Sequence, residues 1–403
     1  MHRGWLEPIR VALPVLLLLA GLSSLTLFGV VGLFRGELPW QLDLSTLYGS
    51  GWKLRHGIVP YGEPSTPPAV AADGIVVWLY AYPPSFAPLA IGLSALGWTT
   101  AKLVAVVLNI LGTLGLAVMS ARLMEPGRSS GVLSLSARQV AVVGIVLASP
   151  FVSHVVWLGN TTVLVTVALL LAWLANDTGR PVVAGLLLAL VAIKPQFALL
   201  PGIWLLMERR WVVIGSAAAG SLALSAYAMI VYGPVQAFVD WIGGLLTYLS
   251  GGENAPGCLY CFGIGDLLVA GNLPATHIEM AALLSTVLLW FIRDRFTRLE
   301  ILGLLMAMTA FFLPVHNYDL VILAPLVGAI AVWSATSVTR TAWALAAAVV
   351  IFIPLRFVQM VGSPLLLRWR ELLLIVLIAC LVAAALKRSP ETASVTDATG
   401  GSN

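Results

Sequence analysis

The chain has 403 residues, 60% of them hydrophobic and only 10% charged, with a mean hydropathy of +0.97. Soluble domains carry about 25% charged residues, so an ordinary cytosolic enzyme is excluded and the bilayer is the solvent to reason with. The net charge of +4 comes without a basic run interleaved with aromatics, which argues against a nucleic-acid partner, and three cysteines make no disulfide framework.

Residues 11–34 form an uncharged run behind Arg3 and Arg10. The run exceeds the roughly 7–15-residue core of a signal peptide, and no small-residue cleavage pattern follows it, so it reads as a retained first span with the N-terminus inside. Apolar runs punctuated by charge then predict spans at 99–121, 138–158, 160–176, 181–194, 195–208, 211–232, 274–292, 299–315, 319–335, 341–357 and 371–386. The expectation is an all-α polytopic protein of the plasma membrane, with about twelve transmembrane helices forming one membrane-embedded domain over 1–388. The stretch 82–97 is short for a crossing at about 1.5 Å per residue. It reads as a half-inserted juxtamembrane helix in the outer leaflet, because 14 of the 22 Lys and Arg then fall on the inner side. Two outer loops, 35–98 and 233–273, are long enough to build an active site on the extracytoplasmic face. The polar tail 389–403 is expected to be disordered in the cytoplasm.

Few residues in this setting carry chemistry. Asp43, just beyond the first span, is placed to act as a general base on an incoming hydroxyl; a helix cap or an ion pair with Lys53 or Arg55 is the bland alternative. The same loop holds Arg55, His56, Tyr61, Asp73 and Tyr82. Lys194 falls between two runs too short to cross alone, at the outer tip of a shallow hairpin. A charge there needs a partner such as a lipid phosphate, or it snorkels to the headgroups. His316 and Asn317 join two spans at the outer side, where a histidine either meets a phosphate or caps a helix. Gly159-Asn160 makes another outer turn. Cys258 and Cys261 sit where oxidation is permitted, as a small-loop disulfide or two thiols. No nucleophile elbow, phosphate-binding glycine loop or His-Glu-x-x-His motif appears, which weakens hydrolase, nucleotidase and zinc-protease readings.

Taken in order, the Asp43 loop running to Tyr82-Pro83-Pro84, the run from Gly159-Asn160 through Arg180-Pro181 and Ala184-Gly185 to Lys194-Pro195, and His316-Asn317-Tyr318 resemble glycosyltransferase family 87. These are GT-C-type membrane mannosyltransferases that use polyprenyl-phosphate-mannose. The resemblance implies a GT-C-like bundle, a catalytic Asp43, and Lys194 and His316 on the donor phosphate. Asn317, Asn160, Tyr61, Tyr82, Arg55 and His56 are further substrate-binding candidates. It also implies an inverting transfer of a hexose to a glycolipid or glycan acceptor, without a cofactor. The family more often shows Gly-Gln where this chain has Gly159-Asn160. No Asp-x-Asp or second carboxylate adjoins Asp43, which argues against a metal-dependent variety. The competing reading, a secondary transporter, calls for an inverted repeat and ionisable groups at mid-membrane; here the charges cluster at the outer ends of spans. A third, a non-catalytic partner of envelope assembly, leaves Asp43 free to change.

Overall fold

The computed structural model describes residues 6–34, 41–62, 66–125, 135–251, 254–258, 260–335, 337–351 and 368–388. The expected tail 389–403 and the end of the expected 341–357 span lie outside them. In chain order the helices are α1 Leu6–Ser24, α2 Leu42–Arg55, α3 Pro68–Ala71, α4 Ala87–Ala95, α5 Trp98–Arg122, α6 Ala137–Ala148, α7 Pro150–Leu158, α8 Thr162–Asp177 and α9 Pro181–Val191. There follow α10 Pro195–Met207, α11 Trp211–Tyr232, α12 Pro234–Ser250, α13 Ile264–Ala270, α14 Ile278–Phe291, α15 Arg298–Phe312, α16 Ala324–Ser334, α17 Val338–Ile351 and α18 Trp369–Leu386. Two short strands, β1 Cys261–Phe262 and β2 Val315–His316, pair antiparallel with Cys261 opposite His316.

The described residues are almost wholly helical and rich in apolar helices, as expected, and only some of the twelve expected spans fall on helices of crossing length. Among the described residues five segments are long and apolar enough to span: Ala12–Leu33, Trp98–Arg122, Trp211–Tyr232, Asn317–Ser334 and Trp369–Leu386. The pair α6–α7, bent by 49°, makes a sixth if it is one broken span. The other expected spans fall on α8, α9, α10, α14 and α15, helices of 11 to 16 residues, and on α17, whose described residues end at Ile351. A crossing needs about 17–25 residues. Both expected outer loops also contain helices, α2 and α12.

Contacts divide the chain into two compact units. One holds Gly29–Thr113 and His154–Cys258, here the Asp43 unit; the other holds Met1–Phe28, Leu114–Ser153 and Leu259–Asn403, here the His316 unit.

In the Asp43 unit, α2 is buried on nearly all sides, with ten of its 14 residues inside. Leu47 and Leu54 pack with Phe86, Ala87, Ala90 and Ile193. The short helices α9 and α10 each start on a proline, whose fixed φ and missing N–H suit the first helical position. Helix α9 lies against α8 and α11, and Trp173 of α8 and Trp204 of α10 are buried.

In the His316 unit, α1 and α6 meet through glycines. A Cβ on Gly144 would lie 2.4 Å from the Leu17 carbonyl carbon, and one on Gly21 2.5 Å from the Gly144 oxygen. Backbones approach this closely only over small residues, the usual device for packing helices in lipid. Capping boxes open α6 (Ser136 with Gln139) and α15 (Thr297 with Glu300). The buried Glu300 carboxylate also accepts two 2.8 Å bonds from the Arg388 guanidinium, tying the end of α18 to the start of α15.

Candidate functional site

Asp43 stands in the first turn of α2, and the chain is pinned just before it. Gln41 is fully buried in the left-handed conformation (φ 68°), so its backbone N–H donates to Trp157 O (2.8 Å) and its side-chain amide to Val156 O (2.8 Å). These carbonyls lie near the end of α7, where the helix leaves backbone acceptors without partners of its own. Directly after α7, Gly159 turns the chain at φ 68°. A Cβ there would fall 2.2 Å from Gln41 Oε1 and 2.8 Å from Leu44 Cβ. The position therefore requires glycine for its conformation and for its contact.

That turn delivers Asn160 to Asp43. Asn160 Nδ2 donates to Asp43 Oδ2 at 2.5 Å. Its Oδ1 accepts from the Thr162 backbone N–H (2.8 Å), the Thr162 hydroxyl (2.6 Å) and the Lys194 ammonium (2.9 Å). Lys194 Nζ also donates to Thr162 Oγ1 at 2.5 Å. Because a backbone N–H and an ammonium are donors only, the amide has one workable orientation: oxygen toward Lys194, nitrogen toward Asp43. Asn160, Thr162 and Lys194 are buried and Asp43 is half-buried. Lys194 caps α10, with its ammonium 5.4 Å from the Phe197 ring centre. A cation, an amide and a carboxylate thus stand in line, in surroundings where charge–dipole interactions are stronger than in water.

The other candidates of the first loop take structural partners. Arg55 is exposed and donates to Ser94 O (2.7 Å); the exposed His56 ring bonds through Nδ1 to Trp52 O (2.7 Å). Tyr61 Oη donates to Tyr82 O (3.0 Å), and Tyr61, Tyr80, Tyr82 and Phe86 form an aromatic run with ring centres 5.4, 5.7 and 4.8 Å apart. Burial, then the Asp240 charge, raises the Tyr61 phenol well above its ordinary range, so it stays a neutral donor. Asp73 accepts from Lys102 Nζ (2.5 Å) and Trp98 Nε1 (2.7 Å), and the Lys102 bond holds its carboxyl below the usual range.

His316 and Asn317 belong to the other unit. The His316 ring stacks on Tyr318 (5.2 Å, 3° between planes), and its backbone N–H donates to Asp319 Oδ2 (3.1 Å) in a capping arrangement. Asn317 donates twice to Tyr260 O, from its backbone (2.7 Å) and its side chain (3.0 Å), and accepts from Arg370 (3.4 Å). Cys258 and Cys261 are disulfide-bonded, so neither thiolate is available to a metal.

The structure therefore joins Asp43, Asn160 and Lys194, three candidates lying up to 151 positions apart in sequence, and adds two residues that sequence reasoning passed over. Thr162 had no signal beyond its nearness to Asn160. Gln41, two residues before Asp43, carries no sequence signal of its own.

The model of glycosyltransferase family 87 matches residues 80–355. The match takes in Asn160, Thr162, Lys194 and His316 and begins after Asp43. No curated protein and no solved structure gives a match.

Proposed function

The chain belongs to glycosyltransferase family 87, and from that premise we propose that this membrane glycosyltransferase moves a hexose, mannose by the resemblance, from a polyprenyl-phosphate-sugar to a glycolipid or glycan acceptor at the extracytoplasmic face. The observation that carries the reading is the Asp43–Asn160–Lys194 network. An inverting transfer needs one base for the acceptor hydroxyl and positive charge for the departing phosphate. Asp43 takes the hydroxyl proton as that oxygen attacks the anomeric carbon. The bond from that carbon to the phosphate oxygen breaks on the opposite side, and its electron pair leaves with the lipid phosphate. Inversion follows from the single in-line displacement.

Asn160 holds one carboxylate oxygen of Asp43 in place, and Lys194 sets the orientation of Asn160 while its charge favours an anion beside the network. For Tyr61 and Tyr82 the support is their aromatic faces, which suit the apolar face of a sugar ring. For His316 and Asn317 it is the resemblance alone, and for Arg55 and His56 their place in the loop that holds Asp43. The outer orientation rests on the distribution of Lys and Arg, 14 of 22 on the inner side.

The test is transfer itself: membranes bearing the wild-type chain or Asp43→Asn, given radiolabelled polyprenyl-phosphate-mannose, are assayed for label in a larger product. Asparagine retains an acceptor for Asn160 and removes the proton acceptor for the substrate. Turnover should fall by at least about 10²-fold, the lower bound for general-base assistance. A variant within a few-fold of wild type returns Asp43 to a structural role. Transfer from a glucose or arabinose donor instead would replace the sugar and keep the chemistry.

A further inference from the structure

The stretch holding helix α12 was expected to be an outer loop, yet twelve of the helix's 17 residues sort into three rows, each spaced 4, 3, 4 along the chain and so each on its own face of a 3.6-residue helix. Ala237, Trp241, Gly244 and Tyr248 form the inner row. Ala237 is buried, Trp241 Nε1 donates to Ala81 O (3.0 Å), and Gly244 sits where a Cβ would be 3.3 Å from the Tyr61 ring and 3.5 Å from Tyr80 O. Gln236, Asp240, Gly243 and Thr247 form a polar row, in which Gln236 donates to Asp240 (2.6 Å). Val235, Val239, Ile242 and Leu246 form the third row, and they are 74, 53, 50 and 63% exposed.

Two observations say what covers the third row. It follows, across the single residue Gly233 (φ 88°), the 22-residue apolar helix α11, whose Ile230, Val231 and Leu222 are likewise exposed, so the apolar surface of a membrane-capable helix continues onto α12. The polar row lies about 100° around the helix from the apolar row, which suits neither a full crossing nor a helix wholly in water. It suits one lying at the boundary. The inner row, resting on Tyr61 and Tyr80, adds Trp and Tyr, side chains enriched at headgroup level.

We propose that α12 lies along the membrane surface with Val235, Val239, Ile242 and Leu246 in the boundary between headgroups and acyl chains, and that it holds the Tyr61–Tyr82 segment at that depth. A lipid-borne sugar would then meet the aromatic face without leaving its own layer. The placement of the helix does not depend on which sugar or donor is used.

The test is nitroxide scanning of the full chain in phosphatidylcholine/phosphatidylglycerol vesicles. Labels go singly at 235, 236, 239, 240, 242, 246 and 247 in a Cys380→Ser background with the disulfide left intact; 230 on α11 serves as lipid control. Collision with oxygen should peak at 235, 239, 242 and 246, collision with a water-soluble nickel chelate at 236, 240 and 247, and the apolar row should read about 5–10 Å below the headgroups. Chelate access at 239 and 242 equal to that at 236 and 240 puts the face in water and overturns the proposal. Exclusion of both agents from the apolar row means that protein covers it, and overturns it equally. All labelled positions are at the helix surface, and each variant is first checked for a single monodisperse species.

Discussion

An amide can serve a carboxylate and an ammonium at once because its two ends have opposite hydrogen-bonding character, and Asn160 is placed to do so. Removing it with Asn160→Ala deletes a charge-assisted bond to Asp43, worth about 1.5–3 kcal/mol, so kcat should drop about ten- to a hundredfold. Asn160→Gln keeps the amide, so it should lose less activity than Asn160→Ala. Equal losses in both variants would mean that the network is only packing. Lys194→Met should raise the donor KM, through the lost charge, and lower kcat, through the released Asn160, while the acceptor KM stays near wild type. Unchanged constants would make Lys194 a plain anchor of α10. Asp73 permits a pH test. Its folded-state carboxyl is depressed by Lys102, so the stability it contributes is present above its unfolded value and fades as pH falls through the carboxylate range. The pair is partly exposed, so Lys102→Met should cost no more than about 1 kcal/mol at neutral pH. Thermal melts at low pH should show that difference gone. Asp43, Lys194 and Asn160 were legible in the sequence because carboxylates, cations and amides are scarce in so apolar a chain. Their mutual bonds were not legible, since they depend on a glycine turn and an αL glutamine that no local pattern announces.

At the scale of elements, periodicity failed where burial is complete or where a helix is shared between environments. Helix α2 is enclosed on nearly every side and offers no amphipathic stripe, so Leu42–Arg55 read as loop. Helix α12 mixes three faces, and its apolar residues taken as a run are too few for a span. Helices α8, α9 and α10, each expected to cross, are 16, 11 and 13 residues long, because composition marks an apolar helix without measuring it. Packing, in contrast, is decided by single atoms. Gly144→Val should separate α1 from α6, because even its Cβ meets the Leu17 backbone. Overpacking of this kind costs typically about 1–3 kcal/mol, read as a lower melting temperature of the detergent-solubilised protein. A melting point equal to wild type would show that the helix pair can yield. Arg388→Gln should act in the same direction by leaving the Glu300 carboxylate, buried to 1% exposure, without its guanidinium partner. Because Arg388 is itself 28% exposed, the loss belongs at the low end of the roughly 3–5 kcal/mol for broken buried pairs.

For the whole molecule, the described residues hold five or six helices long and apolar enough to cross and a set of shorter apolar ones, so the proposed sidedness of the Asp43 unit is argued from charge. With α8 crossing, the rule that Lys and Arg collect inside favours the α8–α9 turn, with Arg180, in the cytoplasm and the Asp43 loop outside, as proposed above. The proposed lipid-borne donor fits that orientation, whereas on the inner face the donor class would be open again. Two exposed positions test this within one unit, Ile58 beyond α2 and Thr178 after α8. In a Cys380→Ser background, Ile58→Cys should react with an impermeant maleimide on intact spheroplasts, and Thr178→Cys should react only after permeabilisation. The reverse pattern would place Asp43 inside and undo the lipid-donor argument while leaving family membership untouched. Labelling of both from outside would mean that α8, at 16 residues and about 24 Å, turns back without crossing. The Asn160 turn and the Arg180 turn would then share a face, and the inner count of Lys and Arg on which the orientation rests would have to be redrawn from that helix onward.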